Sequence, residues 1–212
     1  EDAQKVMRRL AEVGITTREA CGNSVRNVSA DPLTGIAPDC LFDVTPYAEA
    51  AMRYFLRNPV NQKLPRKFKI AYSASPADRG LIPMHDIGLM AVERDGKQGF
   101  RVSVGGGLGA APRLADVLTQ FIPVEEQLRT IEACIRVWDR LGERRNKNKA
   151  RIKFLVGKLG IDEFRRLYEL ELATLAPSFD ERYHEPDFTL IEETPATGSH
   201  ASRNGGMAQP RE

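Results

Sequence analysis

The stretch LPRKFKIAYSASPADRGLIPMHDIGLMAVERDGKQGFRVSVGGGLG, residues 64–109, decides the fold. It reads as three strands in succession, over 67–74, 86–92 and 99–104. In the third, Phe100, Val102 and Val104 alternate with Arg101 and Ser103, the two-residue period of a half-buried strand. Gly96 marks the turn into it. The run GGGLG, residues 105–109, leaves that strand and leads to a predicted helix around 112–119. It has neither the dinucleotide fingerprint nor the lysine of a phosphate-binding loop. The better reading is a tight strand exit where something bulky, such as a cofactor, approaches the backbone.

Helical patterns lie on both sides of this block. Upstream, Val6, Leu10 and Val13 give an amphipathic helix over 2–13, stopped by Gly14. Residues 17–27 read as a short turn or helix, and 28–45 as loop. Thr45 caps a second helix with Pro46 at its first position. Its apolar face is Tyr47, Ala51, Tyr54 and Phe55. Downstream, helices are expected over 124–141, 146–158 and 161–174. Adjacent strands flanked by helices give an α+β fold, a sheet with helices packed around it.

The chain has 212 residues, 42% of them hydrophobic, which suits a globular protein with a core. No apolar run is long enough to span a membrane. The first residue is Glu1, with no signal-peptide pattern after it, so the chain is expected to be cut from a longer one or processed. Cys21, Cys40 and Cys134 are odd in number and far apart. They read as half-buried thiols of a cytoplasmic protein, not as a disulfide framework or a metal site. His85, His184 and His200 lack metal-ligand spacing and read as structural or exposed. From Thr194 onward apolar residues almost vanish, and disorder is expected.

The net charge is only +2, but the cations cluster. Lys67 and Lys69 are two apart on a predicted strand, so their ammonium groups share a face. Such a pair is either a solvated basic face or an anion pocket. In RRNKNKARIK, residues 144–153, Arg144, Lys147 and Arg151 share one face if the segment is helical. That cluster reads as a solvated face or a nucleic-acid patch, with little aromatic interleaving to favour single strands.

Taken in order, SVRNVSADPLTG, LPRKFKIAYSA, VGGGLG and RRNKNKARIKFLV resemble the sulfite/nitrite reductase haemoprotein family, over roughly residues 5–175. The resemblance implies a fragment from the N-terminal half of an oxidoreductase. Such an enzyme reduces sulfite to sulfide or nitrite to ammonia, by six electrons, at a sirohaem bridged to a 4Fe–4S cluster. Residues 1–16 would end a ferredoxin-like half-domain, 17–180 would form the sirohaem-binding domain, and 181–212 a linker and disordered tail. Arg26, Lys67 and Lys69 would grip the substrate anion, with Lys67 and Lys69 catalytic. Arg26, Asn27 and Arg151 would hold the cofactor, Arg151 against a sirohaem carboxylate and Asn27 beside Arg26. A macrocycle with eight carboxylates demands such a cationic pocket. Arginine suits fixed anion recognition, and lysine suits proton delivery.

The resemblance also names what this stretch lacks. The family's cluster cysteines lie further along, and another distal arginine lies upstream, so the fragment alone is expected to be inactive. RNVSADP has no cysteine after RNV, unlike many relatives. The implied partners are the inorganic anion and an electron donor, ferredoxin or a reductase subunit; neither nucleic acid nor membrane is expected. The competing class is a non-catalytic anion- or RNA-binding module.

Overall fold

A computed structural model describes residues 2–15 and 17–182. The elements are α1 (Asp2–Glu12), β1 (Val25–Ser29), α2 (Thr45–Phe55), β2 (Phe68–Ser73), β3 (Ile87–Arg94), β4 (Lys97–Val104), β5 (Asp116–Pro123), α3 (Gln127–Leu141), α4 (Ile152–Leu159) and α5 (Ile161–Arg182). The strands form one mixed sheet in the order β1-β2-β3-β4-β5. β1, β2 and β3 run parallel, while β4 and β5 are antiparallel to their neighbours. The α+β expectation holds, with all three expected strands in this sheet.

Alternation along β2 sorts the two faces. Phe68, Ile70 and Tyr72 are fully buried in the main core with Ile87, Leu89, Phe100, Val102 and Val104. Helices supply the other side of that core: Ala51 and Phe55 from α2, Ile131, Ile135 and Trp138 from α3, Phe164, Tyr168 and Leu175 from α5. Burying such side chains is worth roughly 1.5–3 kcal/mol each before entropy is counted. Trp138 lies 5.4 Å from Phe68, ring to ring, and its indole N–H donates to the Ala150 carbonyl at 3.1 Å. That bond anchors the start of α4. On the opposite sheet face Ile82 packs with Ala71 and Met90 in a smaller cluster. A Cβ on Gly88 would lie 2.5 Å from the Ile82 side chain, so only glycine lets that residue sit there.

Several local expectations need correction. Residues 25–29, read as the end of a turn and the start of a loop, are the edge strand β1. The helix expected around 112–119 is absent; β5 begins at Asp116 and carries two register irregularities against β4. Residues 146–151 are not helical in the α sense. The Asn146 side chain accepts from the Asn148 N–H at 3.0 Å, producing a short 3-10 turn at Lys147–Lys149, and α4 starts at Ile152. Arg144, Lys147 and Arg151 therefore do not form a helical face. Thr45 is not the cap of α2; the preceding Val44 is, and the Asp43 carboxylate accepts the Thr45 N–H at 2.9 Å. The Val6 side of α1 is not covered: no residue of that helix is buried. The cysteines differ from one another: Cys21 is exposed, Cys40 half-buried and Cys134 buried. Burial pushes the Cys134 thiol far up, so it is inert. α5 continues to Arg182, past the expected end at 174. The expected disordered tail, with His184 and His200, lies outside the described residues, as does most of 181–212.

Candidate anion and cofactor site

Lys67 and Lys69 stand at the start of β2, on the face turned away from Phe68 and Ile70. Lys67 sits one residue before the strand proper, but pairing is already under way: the Phe68 N–H donates to the Ser24 carbonyl at 2.9 Å. Both lysines are half-buried, and neither side chain has a hydrogen-bond or ion-pair partner among the described residues. β1 lies alongside, with Asn27 opposite Lys69. A register shift between Val25 and Asn27 places Arg26 at an irregularity. Its guanidinium is held by the Ala20 carbonyl, which accepts from Nε at 3.1 Å and Nη2 at 2.7 Å.

Arg151, 125 positions beyond Arg26 in number, reaches the same place. It does so from the residue before α4, through Asp86 at the mouth of β3. Arg151 Nε donates to Asp86 Oδ1 at 3.1 Å and Nη2 to Oδ2 at 2.7 Å. The Lys69 backbone N–H also donates to Oδ2, at 3.0 Å, and the Asp86 carbonyl accepts from Gly105 N–H at 2.9 Å. One fully buried carboxylate thus joins β2, β3, the glycine run and the arginine.

The electrostatics confirm the crowding of charge. Lys67 is held below the usual lysine range, first by desolvation and then by the cations Arg151, Lys69, Arg26 and Arg66. His85 is lowered by burial and by Lys69 and Arg151, against a raising contribution from the Leu81 carbonyl, 3.0 Å from Nδ1. Its imidazole is therefore neutral at neutral pH. The structure brings Arg26, Lys67, Lys69 and Arg151 together, with Asn27 beside them. It does not bring Arg144: that residue pairs with Asp139 at 2.6 Å and donates to the Lys63 carbonyl, on a cleft of about 870 Å³ lined by Arg57, Lys63, Arg136 and Arg140.

The glycine run lies against Asp86 and Arg151, and its close neighbours are the protein's own atoms. A Cβ on Gly106 would stand 2.1 Å from the Pro83 carbonyl oxygen; one on Gly107 would meet the Arg151 guanidinium at 2.8–2.9 Å. The tight-exit reading is right, and at these two glycines the chain itself makes the approach. Lys153, 4% exposed, points its ammonium at the carbonyls of Gly107, Leu108 and Ala111. Sequence reading passed over Asp86 and Lys153. Each carried a signal: a carboxylate opening the apolar run IGLMAV, and a lysine inside the apolar stripe of α4.

Asp86 is pushed up to about 6, because burial outweighs the lowering effects of Arg151 and the Lys69 N–H. Its folded value lies above its unfolded one, so the folded state binds the extra proton between about pH 6 and the ordinary carboxylate range. Ionised Asp86 therefore costs stability above pH 6, and that cost fades as the pH falls. Lys69, Arg151 and Lys153 are the charged groups that interact with it. Subtracting the stability–pH curve of Asp86→Asn from that of the wild type should leave a difference that favours the wild type increasingly from pH 7 to pH 4.5. A flat difference would mean that Asp86 titrates normally.

Residues 21–175 match the family described as Nitrite and sulphite reductase 4Fe-4S domain. The chain belongs to that family. It is 38% identical to Sulfite reductase (ferredoxin) 1 of Mycolicibacterium paratuberculosis, over 81% of this chain and 31% of that protein. It is 28% identical to the chloroplastic ferredoxin–nitrite reductase of Arabidopsis thaliana, over 77% and 29%. In fold it is similar to the Mycobacterium tuberculosis NirA protein, with a TM-score of 0.72 and 34% identity, over 82% of this chain and 32% of that one. A dissimilatory sulfite reductase shares the fold at a TM-score of 0.64 and 12% identity. The chain spans about a third of the length of the curated relatives it matches. Among the described residues no helix is long and apolar enough to cross a membrane, and no cluster of His, Cys, Asp and Glu could hold a metal.

Proposed function

We propose that this chain is the anion- and sirohaem-binding part of a cytoplasmic reductase that converts sulfite to sulfide or nitrite to ammonia. The observation that carries the reading is the surplus of positive charge around Lys67. Arg26, Lys67, Lys69 and Arg151 converge, and Asp86 is committed to Arg151. Like charges crowd in this way when the missing partner is a polyanion. A sirohaem with its carboxylates, and a small oxyanion beside it, fit that demand. When bound, sirohaem supplies the iron at which the anion takes up electrons. Arg151 and Asn27 would hold the cofactor's edge, and Arg26 would serve both cofactor and anion.

The Ala20 carbonyl fixes the direction of the Arg26 guanidinium, whose planar fork of donors suits it to orienting the anion. Lys67 holds a proton at Nζ but releases it more readily than an ordinary lysine. Lys69 shares its face and supplies a second ammonium. Proton delivery to the anion's oxygen atoms is thus assigned to this pair. The relatives named for ferredoxin support a ferredoxin-type donor. We place the 4Fe–4S ligands outside this chain, whose cysteines, Cys21, Cys40 and Cys134, are scattered singly along it. Residues 1–16 are assigned to a neighbouring half-domain, an assignment supported by the exposed Val6 and Val13, and 17–180 to the sirohaem domain.

The test is the visible spectrum of the intact purified protein. Strong sirohaem absorption that shifts on adding sulfite or nitrite is the expected result. A colourless protein that co-purifies with nucleic acid would replace this reading with that of a binding module.

A further inference from the structure

We propose that Asp86 is a positioning residue for the cofactor site, clamping the Arg151 guanidinium against Gly107. The inference rests on the placement of Arg151 at the sirohaem edge. Two independent contacts define the clamp. From one side the buried Asp86 carboxylate takes Nε and Nη2 of Arg151, at 3.1 and 2.7 Å. From the other, the bare Cα of Gly107 leaves just enough room: any Cβ there would come within 2.9 Å of three guanidinium atoms. The Gly107 backbone cannot retreat freely. It exchanges two hydrogen bonds with Arg113, at 2.8 and 2.9 Å, and its carbonyl faces the Lys153 ammonium.

The clamp uses two of the five guanidinium N–H donors on Asp86. The rest remain for an acidic ligand, and their direction is set by residues that never touch it. A long arginine otherwise samples many rotamers, and fixing it beforehand removes that entropy loss from binding. Asp86 also accepts the Lys69 N–H, so the same carboxylate ties the strand of the anion-facing lysine to the arginine.

Asp86→Asn separates geometry from charge. An amide oxygen can keep Lys69 N–H and Arg151 Nη2, but its NH₂ then faces Arg151 Nε–H, donor against donor. The arginine must turn away. In the intact holoprotein, sirohaem loss into excess apo-acceptor would be followed by visible absorption for Asp86→Asn, Arg151→Gln and the double variant. Release is expected to quicken about tenfold in Asp86→Asn, the usual scale for a residue orienting a ligand-binding group. The double variant should then be no faster than Arg151→Gln alone. Gly107→Ala, whose Cβ pushes the same guanidinium but which also strains the backbone at φ +158, should quicken release similarly and add nothing to Arg151→Gln; that pair stands in if Asp86→Asn fails to fold. Additive effects in either double variant, or unchanged release in Asp86→Asn or Gly107→Ala, would overturn the clamp while leaving Arg151 at the cofactor. Unchanged release in Arg151→Gln would instead overturn the placement of Arg151, and the clamp with it.

Discussion

Replacing Lys69 by methionine in the intact reductase is expected to cut sulfite or nitrite turnover per sirohaem by on the order of 100- to 10,000-fold, the usual range for losing a positioned general acid. Methionine keeps much of the stem but removes the charge and the proton. The Lys69 backbone bond to Asp86 survives the change, since it uses the main-chain N–H. The strand should therefore hold its place, and sirohaem content should fall far less than activity. KM should rise as kcat falls, because the cation also helps bind the anion. Steady-state kinetics normalised to sirohaem absorption would decide the matter. Activity within about twofold of wild type, well short of that range, would remove Lys69 from the catalytic group. Loss of sirohaem itself would make the lysine a partner of cofactor carboxylates.

Trp138→Ala is the largest expected loss of stability, about 3–5 kcal/mol. The indole is fully buried, packs on Phe68 and donates to the Ala150 carbonyl. Alanine at 138 leaves a cavity beneath β2 and frees the residue preceding Arg151. The damage should reach the site, loosening Lys67 and Arg151 through their shared support. Trp138→Phe keeps most of the packing and loses mainly the hydrogen bond, worth about 1 kcal/mol. Denaturant unfolding of the intact protein, with both variants compared, would test the ordering. Equal losses would assign Trp138's role to the hydrogen bond rather than to packing.

The sheet's centre was legible because its signals are local. β3 and β4 alternate and are joined at Asp95-Gly96, both at positive φ, as a two-residue hairpin turn requires. β1 was not legible, since VRNVS is polar and its pairing with β2 joins residues 43 apart, Val25 with Phe68. β5 misled for another reason. Leu114, Val117, Leu118 and Phe121 fall at helical intervals, while the irregular register against β4 blurs the strand's own period. The spacing of Arg144, Lys147 and Arg151 misled likewise, because it ignored the local pull of the Asn146 side chain on the backbone.

At the site, the cations were readable and their holder was not. Lys67 and Lys69 announce themselves by spacing, and Arg26 and Arg151 through family resemblance. Asp86 offered only one carboxylate at the mouth of an apolar strand. What makes it matter is a partner 65 positions away, a relation no local pattern contains.

The glycine run bears on how freely this protein can change. At Gly105, Gly106 and Gly107 the space a side chain would need is filled by Val156, by the Pro83 and His85 carbonyls, and by Arg151. At Gly109 nothing lies within 4 Å, and the restriction is the backbone angle, φ +100. Neighbouring glycines are thus held to one residue type by different physics: crowding alone at Gly106, crowding together with a positive φ at Gly105 and Gly107, and torsion alone at Gly109. A compensating shift of the packed Pro83–His85 backbone could relieve the crowding at Gly106, where torsion adds no bar. No distant substitution relieves torsion. Drift in this loop is therefore open only at Gly106, where its packing partners can drift with it, and closed at the three glycines with positive φ.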